Sequence, residues 1–210
     1  MNVDETISAV EGGWRFDKDV TLSFDSHVRK SVPFYDGFQE MVVDMSEWFV
    51  GDNSIVYDLG SSTGETISLL HEKHSRKTNV QFVGMDNSVF MVDAATKKCE
   101  WNNVRFLLKD IADIESLPGA NLVISLYTLQ FLPIELRKQI LDIIFRGLSE
   151  GGALIIAEKV RGENSLTEDL WVELYWDFKQ AQGLNSDQVI QKAKSLRGVF
   201  SCFPHRLRPV

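Results

Sequence analysis

Apolar positions along the chain follow two rhythms. Short continuous runs, bounded by small or polar residues, recur at 54–58, 80–86, 104–108, 122–126 and 153–159. Runs of this length, rich in β-branched residues, predict strands of a parallel sheet covered on both faces. Between them apolar residues return at helical spacing: Ile67, Leu69 and Leu70; Met91 and Ala95, behind a cap at Asn87 or Ser88; and a stretch from Pro133 to Leu148, with Gly151-Gly152 as its glycine stop. Strand and helix alternate through five strands, which predicts an α/β fold with a doubly wound, Rossmann-like parallel sheet. Ahead of the first strand, Pro33 suits a helix start, and Phe34, Phe38, Met41, Val42, Met45 and Trp48 predict a helix that buries a wide apolar stripe. Segment 13–32 mixes aromatics with charges and has no clean period, so it predicts either a lid over a pocket or a packing strap. Beyond the fifth strand, 165–182 and 185–197 read as two helices, with Leu170, Trp171, Leu174, Tyr175 and Phe178 on one face of the first. The expected organisation is a single domain over 1–210: a tail and lid at 1–32, a core at 33–160, and C-terminal helices with a short tail at 161–210.

The candidate chemistry sits where the first strand meets its helix, in Asp58-Leu59-Gly60-Ser61-Ser62-Thr63-Gly64. Gly60 and Gly64 allow positive φ and let a ligand lie against the main chain. The hydroxyls and N–H groups of Ser61, Ser62 and Thr63 stand at a helix start, which favours an anionic group. The spacing is neither that of a dinucleotide fingerprint nor that of a P-loop. The second strand ends in Asp86, placed to accept both hydroxyls of a ribose. Asn87 is a candidate for the adenine edge or a ribose oxygen, Asp110 for the adenine amino group, and Ile111 for the face of the ring. A glycine loop with a ribose acid and no phosphate lysine resembles the class I S-adenosylmethionine (SAM) methyltransferase fold.

Charge and composition narrow the partners. Mean composition is that of an ordinary globular protein, 44% hydrophobic and 25% charged, and the formal net charge of −8 argues against direct nucleic-acid binding. The acidic first twelve residues and the lack of a long apolar run predict neither signal peptide nor membrane span, hence a cytoplasmic protein. Cys99 and Cys202 are too few for a disulfide framework, and His71 and His74 lack a third ligand, so no metal is expected and the histidines read as a solvated face.

A narrower resemblance rests on ordered short motifs: Ser31-Val32-Pro33-Phe34-Tyr35, Tyr57-Asp58-Leu59-Gly60-Ser61-Ser62, Asp86-Asn87-Ser88, Asp110-Ile111, Thr128-Leu129-Gln130-Phe131-Leu132, Glu158-Lys159 and Asp177-Phe178-Lys179. Together they resemble the bacterial carboxy-S-adenosyl-L-methionine synthases. That resemblance implies a homodimer that uses SAM and prephenate to make carboxy-SAM and phenylpyruvate, for modification of the wobble uridine of tRNA by a partner enzyme. It also implies that Tyr35, Gly60, Ser61, Ser62, Asp86, Asn87, Asp110 and Ile111 bind SAM or carboxy-SAM. Asp58, Gly64 and Leu126 complete the expected pocket, Leu126 standing where the family has an asparagine. A further departure is Ala193, which replaces the arginine that holds the new carboxylate. Arg197 lies one helical turn on and is the candidate substitute, making Tyr35 and Arg197 the expected catalytic pair. Arg29 or Lys30 in the lid is a candidate to meet the prephenate carboxylates, with a solvated charge pair as the other reading. The tail after Gly198 is too short for the antiparallel hairpin that ends the full methyltransferase fold. Two other functions stay open: methyl transfer to a small molecule, and SAM binding without turnover.

Overall fold

The computed structural model describes residues 18–196 and Cys202; Arg197 therefore lies outside the described residues. Five strands, β1 (Ile55–Leu59), β2 (Gln81–Asp86), β3 (Val104–Leu108), β4 (Ala120–Leu126) and β5 (Leu148–Ala157), form one sheet in the order β3-β2-β1-β4-β5, with every pairing parallel. Among the described residues seven α-helices flank or precede it: α1 (Lys18–Ser31), α2 (Tyr35–Ser46), α3 (Glu65–Lys73), α4 (Val89–Lys98), α5 (Ile134–Gly147), α6 (Ser165–Ala181) and α7 (Ser186–Ser195). Strand alternation divides the core in two. Tyr57, Leu59, Met85 and Val123 pack with Ile140 and Ile144 of α5, while Val56, Phe82 and Ile124 pack with Val42, Ile67 and Leu70 of α2 and α3. The doubly wound sheet is thus as expected, and among the described residues no strand pairs with the outer edge of β5.

Four expectations are corrected. Residues 18–31 form a helix; their apolar period is missing because the inward positions include His27 and Ser31, which are polar. The apolar stripe is only partly inward: Val42 is fully buried and Phe38 packs against the core, but Met41 and Met45 are half exposed, Phe34 and Trp48 at the two ends of α2 are 88% and 79% exposed, and Gln39 and Ser46 complete the buried face. Those buried polar groups are partnered in part: the Gln39 amide donates to the Tyr35 hydroxyl (3.1 Å) and Ser46 shares a hydrogen bond with His74 (2.7 Å), while Gln39 Oε1 has no hydrogen-bond partner among the described residues. His74 is accordingly buried, with its pKa pushed down to about 4 by burial, and His71 stacks on Trp101 at 4.0 Å, so neither histidine belongs to a solvated face. The Gly151-Gly152 pair lies inside β5. Helix α5 ends earlier, at Gly147, where any Cβ would fall 2.4 Å from the Leu117 carbonyl, and Leu148 already pairs with Ala120. No helix among the described residues is long and apolar enough to cross a membrane, and none of their side chains form a metal-binding cluster.

Candidate functional site

The strand order reverses between β1 and β4, and a cavity of about 1600 Å³ opens at the carboxyl ends of these strands. Small-molecule sites usually enclose roughly 300–1,000 Å³. The excess leaves room for two ligands side by side.

The floor of the cavity is the loop after β1. Gly60 turns at φ 77° and Ser62 at φ 47°, which brings the chain back across the end of β2. The N–H groups of Gly60 and Ser61 both donate to the Met85 carbonyl, at 2.8 and 2.9 Å, and that of Gly64 to the Ser61 carbonyl. The Ser62 N–H donates to Asp86 Oδ2 at 2.9 Å. These four donors are therefore committed within the protein. Gly64 is placed differently from expectation. It is absent from the cavity wall and packs instead under Phe106 and Ala95, where a Cβ would meet ring and methyl carbons at 2.9 and 3.1 Å.

Asp86 is clamped from two sides, Oδ2 by Ser62 and Oδ1 by the Ser88 N–H at 2.9 Å. It is 9% exposed and faces the cavity. Burial raises its pKa above the usual carboxylate range even against those two hydrogen bonds. Asn87 donates to Asp110 Oδ2 (3.1 Å), and Asp110 Oδ1 accepts from the Ala112 N–H (2.9 Å), which presents Ile111 to the same space. Deeper in, Asp58 is 2% exposed; its Oδ2 and the hydroxyl of Ser61 are buried with no hydrogen-bond partner among the described residues. Burial, with the charge of Asp86, pushes the Asp58 pKa up to about 7. Orphaned buried acceptors of this kind call for a donor from a ligand, an ammonium above all. The set suits a molecule that carries an ammonium, a ribose and a flat ring, so the residues present fit SAM.

The roof comes from helices. Tyr35 opens α2 and lines the cavity, its pKa pushed up to about 12 chiefly by burial. Phe24, His27 and Ser31 of α1 line it too. Helix α1 is fastened outside the cavity by Lys98, which pairs with Asp25 and Glu65 at 2.8 Å each, and by Arg29, which pairs with Glu65 and Asp36. Arg29 and Lys30 are absent from the cavity wall, and Arg29 is held in charge pairs, the alternative to contacting an acidic substrate. Leu126 and Ala193 do face the cavity, so both departures from the family pattern fall on its lining.

Three features escaped the sequence. Glu158 accepts the N–H groups of Thr128, Leu129 and Gln130 (3.1, 2.7 and 3.2 Å) and so shapes the turn after β4, whose Tyr127 sits at φ 58°. Lys192 bonds Ser31 Oγ at 2.9 Å and also His27, joining α7 to α1. Lys179 is a buried cation on the cavity wall. The signal for it was a lysine four residues after Tyr175, on the apolar side of its helix.

A family model described as a methyltransferase domain matches residues 51–197, and fold and site together define the chain as a methyltransferase-domain protein. The solved DhpI-SAM-HEP complex shares the fold, with a TM-score of 0.54 at 18% identity over 72% of this chain and 66% of that one. Relatives in sequence are more specific. The carboxy-S-adenosyl-L-methionine synthase of Staphylococcus epidermidis is 36% identical over 188 residues, 89% of this chain and 81% of that protein. That of Actinobacillus succinogenes is 37% identical over 204 residues, 94% and 84% of the two chains. The chain belongs to the carboxy-S-adenosyl-L-methionine synthase family.

Proposed function

We propose that this protein binds SAM and makes carboxy-SAM, with prephenate as the source of the carboxyl group and phenylpyruvate and water as the other products. The observation that carries this reading is one continuous cavity with Asp58 and Asp86 at its floor and volume to spare beside them. When bound, SAM supplies a sulfonium methyl acidic enough to be carboxylated. Asp58 would take its ammonium, Asp86 its ribose hydroxyls, and Asn87, Asp110 and Ile111 its ring. Tyr35 and α1 would roof the reacting groups, excluding water that would return a proton to the methyl before it is carboxylated. Arg197 remains a proposed carboxylate contact on sequence spacing alone. The product would pass to a tRNA-modifying partner in the cytoplasm.

A homodimer is part of the proposal. Leu166, Leu170 and Leu174 on α6 are 77%, 53% and 51% exposed, an unusual density of apolar side chains for a free surface.

Methyl transfer to a small molecule is the second reading, and one observation favours it: Ala193 and Leu126 bring neither charge nor amide to the wall. Mass spectrometry of the molecule released by denaturing fresh protein separates the two. Carboxylated SAM supports the first, and SAM or its demethylated product the second. Incubation with SAM and prephenate then tests turnover, and absence of carboxy-SAM would refute the synthase reading.

A further inference from the structure

The cavity is electrically uneven. Asp58, Asp86, Asp110 and Glu65 stand on the side of the first strand tips with one lysine, Lys109, among them, while Lys159, Lys179 and Lys192 line the wall built from the end of β5, α6 and α7. Lys179 is the telling member. Only 4% exposed, it has its Nζ 4.1 Å from the centre of the Tyr175 ring, and no carboxylate among the described residues pairs with it. A second cation shares the ring: Lys159 Nζ lies 5.3 Å from its centre. Burial and Lys159 together lower the Lys179 pKa to about 8. A ring face recovers part of the desolvation cost of an ammonium, but a buried cation without an anion remains uncompensated. Its partner must come from the cavity.

We propose that Lys179, with Lys159 beside it on Tyr175, forms an anion subsite that holds a carboxylate of the second ligand. The aromatic surround of Tyr127, Trp171 and Tyr175 fits a carboxylate borne on an apolar ring or a short arm from one. The assignment deepens the reading above and rests on the cavity taking an acidic ligand beside the cofactor. Lys179 is a binding and positioning group here, and the reaction's proton transfers are not assigned to it.

The test uses the full chain saturated with S-adenosylhomocysteine, titrated calorimetrically with three probes: prephenate, phenylpyruvate and phenylacetate. Wild type should bind at least one. Lys179→Met, which keeps the length and loses the charge, should weaken that binding at least tenfold, and Lys179→Arg should stay within about threefold of wild type. Affinity for S-adenosylhomocysteine and the melting temperature should be nearly unchanged in both, which separates a lost anchor from a lost fold. Equal carboxylate affinity in wild type and Lys179→Met would overturn the assignment, and so would failure of wild type to bind any of the three. If phenylacetate binds through Lys179 but SAM and prephenate give no carboxy-SAM, the subsite stands and the synthase reading falls.

Discussion

Replacing Asp86 by asparagine tests the floor of the site most directly. Each carboxylate oxygen already accepts one backbone N–H at 2.9 Å, from Ser62 and Ser88. A carboxylate has about four acceptor positions, so roughly two remain for a ribose. Asparagine keeps one oxygen and turns the other into a donor aimed at a backbone donor. A charge-assisted hydrogen bond to the ligand is lost, about 1.5–3 kcal/mol, or roughly ten- to a hundredfold in affinity. One N–H is also left unpaired, at about 1–3 kcal/mol, but removing a charge that burial already disfavours offsets part of that cost. Titration calorimetry with S-adenosylhomocysteine should therefore show the loss in affinity with only a modest drop in melting temperature. A folded Asp86→Asn protein that binds within twofold of wild type would refute the ribose assignment.

Three further outcomes follow from the same geometry. The raised pKa of Asp58 means that the folded chain holds a proton which the unfolded chain, with an Asp pKa of about 3.9, gives up earlier. The associated stability is complete below about pH 4 and is lost as pH rises to about 7, so in ligand-free protein the melting temperature of wild type relative to Asp58→Asn should fall between pH 5 and pH 8; a constant difference would contradict it. Gly64→Ala should cost about 1–2 kcal/mol from its left-handed backbone alone, with more from the Phe106 contact, read as a lower urea midpoint. Leu170→Glu with Leu174→Glu should turn a dimer into a monomer by light scattering, and an unchanged mass would remove α6 as the interface.

The sheet and its floor were legible because their signals are local. Buried parallel strands must be apolar throughout, and a sharp turn over a strand end needs Gly60, so both leave their mark in consecutive residues. The place of the roof was legible in the lid reading of 13–32 and in Tyr35, but its packing was not, because its inward faces are partly polar. On α2 the inward positions are Gln39 and Ser46, bonded to Tyr35 and His74, as well as the apolar Val42, while Phe34 and Trp48 at its ends lie outside. On α1 they include His27 and Ser31, whose partner Lys192 is far along the chain. Periodicity assumes that apolar means inside, and it fails where a polar network does the packing. Gly64 failed for a different reason: a glycine needed for a close approach does not reveal whether a ligand or Phe106 is what approaches.

The hydrogen bonds from Lys192 to Ser31 and His27 tie the first described helix to the last across the mouth of the cavity. One lysine thus pins two helices that are far apart in sequence, so a change at His27 or Ser31 should loosen α7 much as a change at Lys192 loosens α1. A swap that repairs the pin with a matched pair, rather than a change on one helix, is what an engineer reshaping the entrance would need.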